Sequence, residues 1–416
     1  MMHRQPRFEI AVNNKSNWRT PTVVLICGGL IMTLAMGARH GFGLFLQPMS
    51  AAHGWGRETF AFALALQNLM WGLAQPFTGL IADRWGAGRV LFGGSVLYVA
   101  GLIWMAYAGS GTELALSSGV LIGVGLSGTT FSIVYGVLGR IYPPEKRSMA
   151  LGIAGAAGSF GQFAMLPATQ ALITGTGWLN ALLVLAAAAA LMAPLSAVLA
   201  EPARTDDHRT QQRVMDAIRE AASHKGFWLL TFGYFVCGFQ VVFIGVHLPA
   251  YLGDHGLPGN VGVICLALIG FFNIIGTYGA GWLGARRSKK HLLAFIYIAR
   301  SVIIVIFLAA PLTPWSAYLF AAAIGTLWLA TVPLTNGIIA QVFGVHYLSM
   351  LGGFVFFSHQ IGSFLGAWMG GVLFDRTGSY DLVWGISIAL GVVAMLMNLP
   401  IDQRPLARLE TVPAPR

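Results

Sequence analysis

Charge is scarce in this chain. Of its 416 residues only 10% are Asp, Glu, Lys or Arg, against 56% apolar. Soluble domains carry about 25% charged residues. A water-soluble fold could not hide this much apolar surface, and the mean hydropathy of +0.70 points the same way. A membrane setting is expected. Cysteine is scarce too: Cys27, Cys237 and Cys265 all fall in apolar stretches. That excludes a disulfide framework and leaves no Cys/His cluster for a metal. No G-x-x-x-x-G-K-[ST] loop occurs, so ATP-driven pumping is not expected. No paired nucleophile and base suggests an enzyme, and no cofactor is implied. The absence that decides most concerns carboxylates. All fifteen Asp and Glu lie in links or at helix ends. Proton relays in membrane carriers often use an intramembrane Asp or Glu, and this chain has none to use.

What the chain does have is long apolar runs. A bilayer core takes about 20 residues per helix. Twelve stretches qualify, near 21–47, 58–82, 88–109, 113–139, 148–172, 178–200, 228–252, 260–283, 291–311, 314–340, 347–373 and 382–400. The expected fold is an all-α membrane protein of twelve transmembrane helices. The first apolar run is too long for a signal-peptide core and no small-residue cleavage site stands out, so the start is expected to belong to the mature protein.

Lys and Arg set the orientation. With a cytoplasmic N-terminus, 21 of the 25 basic residues fall on the inner side, including Arg84, Arg89, Arg140, Arg147, Arg213, Lys289 and Arg404. The outer links hold Arg57 and Arg376. This bias puts both termini inside. It also accounts for the net charge of +10 without nucleic acid as a partner.

Two basic residues remain, and both lie within spans. Arg300 sits about 14 Å into its helix and Arg39 about 12 Å from the outer end of the first, at 1.5 Å per residue. An Arg at such depth costs roughly 2.5 kcal/mol or more on insertion scales, so each is expected to have a role.

The segment 201–227 divides six spans from six. The expected organisation is a tail 1–20, a six-helix bundle 21–200, a cytoplasmic linker 201–227, a second bundle 228–400 and a tail 401–416. Within the linker, "QQRVMDAIREAA" has apolar residues at Val214, Ile218 and Ala222, which fits a surface helix or a solvated link equally. The halves look duplicated. "GLIADRWGAGRVL" (79–91) corresponds to "GWLGARRSKKHLL" (281–293) at an offset of 202, and "GSF" recurs at 158–160 and 362–364. Transporters commonly bind substrate near the midplane between such repeats.

"GLIADRWGAGRV" resembles the loop 2–3 signature of the major facilitator superfamily, with Gly79, Ala82, Asp83, Arg84 and Gly86 matching and Arg89 following. The resemblance implies two six-helix bundles working by alternating access, and a latch in which Asp83 caps a helix end and pairs with a basic residue. Arg140, in "GRIYPPEKR", is the expected partner. The second copy has Ala285 where Asp83 stands. "GFGLFLQPM" followed by "GWGRETFAFALALQNLMWGLAQPFTG" is similar to the bacterial monocarboxylate-porter and oxalate/formate-antiporter branch. Members place a basic residue late in helix 1, a position Arg39 or His40 supplies. Many also carry an Arg in helix 8 with an acid one turn earlier. Thr277 and Asn273 stand there in this chain, and Arg300 is expected to replace that charge. The drug-exporter signature G-x-x-x-G-P in helix 5 lacks its proline.

Two guanidiniums without carboxylates at their depth would draw an anion, and a carboxylate substrate would satisfy the Arg fork. The competing readings are that Arg39 snorkels to the interface and that Arg300 binds backbone carbonyls. His359, near the centre of helix 11, is the expected proton-coupling residue and a substrate contact. A His bonded to a neighbouring helix is the plainer alternative. His40, His247, Gln240, Asn273 and Tyr135 complete the expected binding set. Ser132, Gln67 and Asn68, and the aromatics Trp71, Phe243, Trp328, Phe356 and Phe357, are further candidates for its wall, the polar ones also read as bonds between helices and the aromatics as lipid-facing.

The function expected is secondary transport of a small monocarboxylate-like anion, with proton-coupled uptake. The alternatives are export of amphiphilic, drug-like compounds and anion exchange without protons. The expected partners are the anion, a proton and the bilayer of the cell (inner or plasma) membrane, with a monomer expected by analogy.

Overall fold

A computed structural model describes residues 19–55, 57–201 and 212–410. Most of the N-terminal tail, the last six residues and the middle of the linker, with Arg4, Arg7, Lys15, Arg204, Arg209 and Arg416, lie outside the described residues. Among those described there is no strand. Twelve long helices follow in order: α1 Pro21–His40, α2 Arg57–Trp85, α3 Ala87–Ala106, α4 Gly111–Ile141, α5 Pro144–Thr176 and α6 Trp178–Ser196. They continue with α7 Lys225–Asp254, α8 Gly259–Gly284, α9 Lys289–Ala309, α10 Pro314–Phe343, α11 Leu348–Thr377 and α12 Asp381–Asn398. Eleven are long and apolar enough to cross a membrane. The twelfth, α2, has 29 residues but carries Gln67, Asn68 and Gln75, which make it less apolar. The linker forms a short helix, Val214–Ser223, with Ala217 and Ala221 buried and Met215 exposed.

Local chemistry explains the ends. Thr20 accepts from Val23 N at 3.3 Å and Pro21 takes the first position of α1, where its missing N–H costs nothing. Thr313 and Ser316 form a reciprocal capping box at the start of α10. Gly86, between α2 and α3, has φ +98°, a conformation that only glycine adopts easily. The outward surface is apolar, with Phe77, Val263 and Trp315 more than half exposed, as befits a fold whose solvent is lipid.

Two helices break in mid-span. α4 is interrupted at Thr130 and α10 at Trp328–Ala330. The two positions are about 200 residues apart, close to the offset between the sequence repeats. Freed backbone groups inside a membrane must find partners. In α4, Gln75 Nε2 donates to Ser127 O at 2.8 Å and Thr78 Oγ1 to the same carbonyl at 3.2 Å. In α10, Arg300 Nη2 donates to Leu327 O at 2.6 Å and to Trp328 O, while Asn273 Oδ1 accepts from Leu329 N at 3.0 Å.

The most extensive helix packing is α7 with α11, α1 with α5, α2 with α11 and α5 with α8. The last two pairs join the first six helices to the last six. α5 and α8 approach so closely because glycines meet: a Cβ on Gly152 would fall 2.6 Å from Gly281 Cα. These contacts reach the basic end of the molecule. There Asp83, at the end of α2, accepts from Met350 N in the first turn of α11 at 2.8 Å. The basic end is closed.

Candidate functional site

α1 carries Arg39 and His40 in its last turn, and the chain then tightens into a 3₁₀ turn, Gly41–Phe45. Arg39 Nη2 donates to Asn68 Oδ1 on α2, and its guanidinium lies over the Trp71 ring, 4.9 Å from the centroid. Its Nε is buried with no partner. Trp71 is fixed in turn, donating from Nε1 to Gln75 Oε1 and Thr130 Oγ1, both at 3.0 Å. Thr130 is the break in α4, so that break positions the aromatic plate under Arg39. His40 binds Met36 O through Nδ1 at 2.7 Å, within its own helix.

From the other six helices comes His359 on α11. Its ring stacks on Phe356, with centroids 5.5 Å apart and planes 8° from parallel. Nδ1 stands 3.2 Å from Gln360 Oε1. Because Gln360 Nε2 donates to Asn68 O at 3.2 Å, Oε1 is the acceptor and the hydrogen-bond network assigns the proton to Nδ1. Nε2 is buried with no nitrogen or oxygen partner, and the ring also meets the Cys237 thiol. A polar chain therefore runs from Arg39 through Asn68 and Gln360 to His359, crossing from α1 and α2 to α11.

Arg39, His40, Trp71, Trp328, Phe356 and His359 share the lining of one cavity of about 60 Å³, with Gln360 and Ser363 at its wall. That holds roughly four water molecules. Among the described residues no carboxylate lines it. In low dielectric an unpaired guanidinium with a free donor favours an anion.

The remaining expected residues are not brought to this cavity. Arg300 is 1% exposed and occupied by the α10 break, with Nη1 also 3.3 Å from Gln240 Oε1 and 3.4 Å from Cys237 Sγ. The helix end, rather than a substrate, receives its charge here. Gln240 donates to Ser387 O at 2.9 Å, joining α7 to α12. Asn273 serves Leu329 N, and Thr277 Oγ1 donates to it at 3.0 Å. His247 lies 2.8 Å from Ala367 O and 3.3 Å from Tyr380 Oη, tying α7 to α11. Tyr135 is fully buried, and its hydroxyl has no hydrogen-bond partner. Sequence reasoning missed Gln360, Ser363 and Tyr234 as wall residues. Gln360 stood beside His359 in "FFSHQIGSF", and an amide at that depth was the available signal.

At the basic end, Arg140 Nη1 stands 2.8 Å from Asp83 Oδ1, and Arg140 also grips Glu201 through Nε at 3.0 Å and Nη2 at 2.6 Å. Gly79 packs on the Ser349 backbone. Arg84 and Arg89 stay exposed, Arg84 over the Trp85 ring at 5.2 Å.

Twelve helices with two mid-span breaks, a closed basic end and a small, largely apolar cavity holding Arg39 and His359 between two sets of six define a multi-pass membrane transporter, not an enzyme. The chain belongs to the Major Facilitator Superfamily, which it matches over residues 25–367. It is 26% identical to the uncharacterized MFS-type transporter YcxA of Bacillus subtilis over 383 residues, 87% of this chain and 90% of that one. It is 28% identical to mouse monocarboxylate transporter 11 over 397 residues, covering 91% and 87%. Rat monocarboxylate transporter 13 is 25% identical over 371 residues, covering 88% and 86%. Among solved structures, the transporter FucP in the outward conformation superposes with a TM-score of 0.75 at 14% identity, covering 92% of this chain and 98% of that one. The proton:xylose symporter XylE superposes at 0.73 with 15% identity, covering 95% and 99%. These two likenesses concern the fold.

Proposed function

We propose that the protein carries a small organic anion of the monocarboxylate type across the cell membrane, together with a proton, by alternating access of bundles 21–200 and 228–400. The observation that carries this reading is Arg39: a guanidinium over Trp71, with a buried free Nε, in a cavity with no carboxylate among the described residues. The anion binds Arg39. His359 offers Nε2 to the proton, and the Asn68–Gln360 contact links the two events. A monoanion and one proton cross without net charge, so the membrane potential does not oppose uptake. The cavity suits an acid of a few heavy atoms. Relatives named monocarboxylate transporters support the substrate class. Arg300 acts from behind the wall, holding Trp328. Asp83, Arg140 and Glu201 form the latch on the cytoplasmic side, and the working unit is a monomer.

The test uses proteoliposomes with a pH-sensitive dye inside. A panel of short carboxylic acids is added outside, at zero and imposed potential. Acidification above passive leak for one acid, insensitive to potential and lost in Arg39→Gln, is expected. No acid-specific signal in wild-type protein that remains folded would refute the reading.

A further inference from the structure

The two loop repeats close the basic end by different chemistry. In the first, Asp83 receives Arg140 and the N–H of Met350, and Arg140 receives Glu201. The sequences "RSMALG" (147–152) and "LSMLGG" (348–353) place Ser148 and Met149 opposite Ser349 and Met350 at an offset of 201. Offsets of 201 and 202 likewise set Gln341 against Arg140, Ala285 against Asp83 and Gln403 against Glu201. Amides replace the charges. Gln341 Nε2 donates to Gln403 O at 2.9 Å, and Gln403 Nε2 to Ser288 Oγ at 2.9 Å. The carboxylate has no replacement.

What surrounds the missing carboxylate is positive and polar. Ser148 is 2% exposed, and its Oγ has no partner. Its counterpart Ser349 sits beside Asp83. Arg147 Nε is buried without a partner. Lys289 Nζ gives one of its three protons to Gln341 Oε1 at 2.9 Å. A Cβ on Gly284 would lie 2.6 Å from Ser148 Oγ and 3.8 Å from Lys289 Cγ, so both side chains flank the same glycine. The charges of Arg147 and Lys289 act on each other. Neither forms an ion pair among the described residues, and exposed Glu145 is the carboxylate that acts on Arg147. Helix N-termini favour anions, yet the first turns of α5 and α9 present Lys146, Arg147, Lys289 and Lys290.

We propose that the cluster of Arg147, Ser148 and Lys289 binds a phosphate group, which bridges α5 to α9 as Asp83 bridges α2 to α11. Two cations and a hydroxyl donor match a phosphate dianion or diester better than they match each other. The group comes either as free phosphate or as the headgroup of an anionic phospholipid, which basic residues at the ends of membrane spans attract. The site stands apart from the cavity at Arg39 and does not depend on what that cavity carries.

The test is thermal unfolding of the purified full-length protein, followed by tryptophan fluorescence. Inorganic phosphate is titrated against chloride at constant ionic strength. In parallel, nanodiscs of phosphatidylcholine alone are compared with nanodiscs containing phosphatidylglycerol. A saturable rise in Tm with phosphate supports the free ion; a rise with phosphatidylglycerol only supports the headgroup. Lys289→Gln is expected to weaken the effect about tenfold or more. Ala285→Asp supplies the missing carboxylate internally and is expected to abolish it. If neither probe raises Tm, or if the rise persists unchanged in Lys289→Gln and Ala285→Asp, the proposal fails.

Discussion

Asp83 bonds Arg140 within the first six helices, and meets Met350 N and the Ser349 side chain across the molecule. Arg140 is on α4, among the same six helices, and keeps its two bonds to Glu201 whatever Asp83 does. Met350 N and Ser349 are on α11 and must leave Asp83 when the basic end opens; counting the Met350 bond alone gives a lower bound on what is lost. A hydrogen bond to a charged group contributes about 1.5–3 kcal/mol, a neutral one about 0.5–1.5. Asp83→Asn keeps an acceptor and loses the difference, about 1–1.5 kcal/mol. Asp83→Ala loses the full 1.5–3 kcal/mol. At 1.4 kcal/mol per factor of ten, the open population should rise about five- to twelvefold in Asp83→Asn and by tenfold or more in Asp83→Ala. Spin labels at Arg89→Cys and Arg286→Cys, with the three native cysteines replaced, would report the separation by double electron–electron resonance. Glu201→Gln is the control, because it weakens Arg140 without touching the crossing contact. Equal distance distributions for Asp83→Ala and the control would refute this assignment.

Three other outcomes follow from the same geometry. Arg300→Met leaves the carbonyls of Leu327 and Trp328 without donors, at about 1–3 kcal/mol each; the solubilised protein should unfold at clearly lower temperature, and an unchanged Tm would contradict the role given to Arg300. Gly152→Ala puts a methyl group against Gly281 Cα, so α5 and α8 should separate, with the basic end more open and uptake reduced in the same label-distance and dye assays. His359→Gln keeps a polar side chain and removes the titrating nitrogen; counterflow of labelled substrate should persist while substrate-driven acidification is lost, and retained acidification would remove His359 from the proton path.

Hydropathy made the helices readable, because a bilayer demands about 20 apolar residues whatever the sequence. Even α2 was found despite Gln67, Asn68 and Gln75, since its remaining positions are strongly apolar. Depth is readable by counting residues from a helix end, which singles out Arg39 and His359. Rotation about the helix axis was not readable. α1, α7 and α9 are apolar nearly all round, so nothing in the spacing told whether Gln240 or His247 faced the cavity or a neighbouring helix. The break in α10 has no plain signature in the sequence either. "TLWLATVP" holds its proline at Pro333, past the interruption at Trp328–Ala330, and without the break Arg300 had no visible backbone partner. The pairing of Asp83 with Arg140 came from the loop motif, whereas Glu201 lay 61 residues away with no local pattern to connect it.

The lodging of Arg300 against α10 bears on how the chain enters the membrane. Alone, α9 must carry a guanidinium into hydrocarbon, at a cost of roughly 2.5–3.5 kcal/mol. It is also the most apolar of the spans, with mean hydropathy 2.6, which offsets that cost. The carbonyls that later receive Arg300 exist as free acceptors only once α10 interrupts its own helix, and an interrupted helix is itself poorly suited to lipid. Each segment thus supplies what the other lacks. α9 and α10 are consecutive in the chain, so the two imperfect spans can leave the insertion machinery as a mutually satisfied hairpin, and the residues that separate them in sequence need only be the short turn between Ala309 and Pro314.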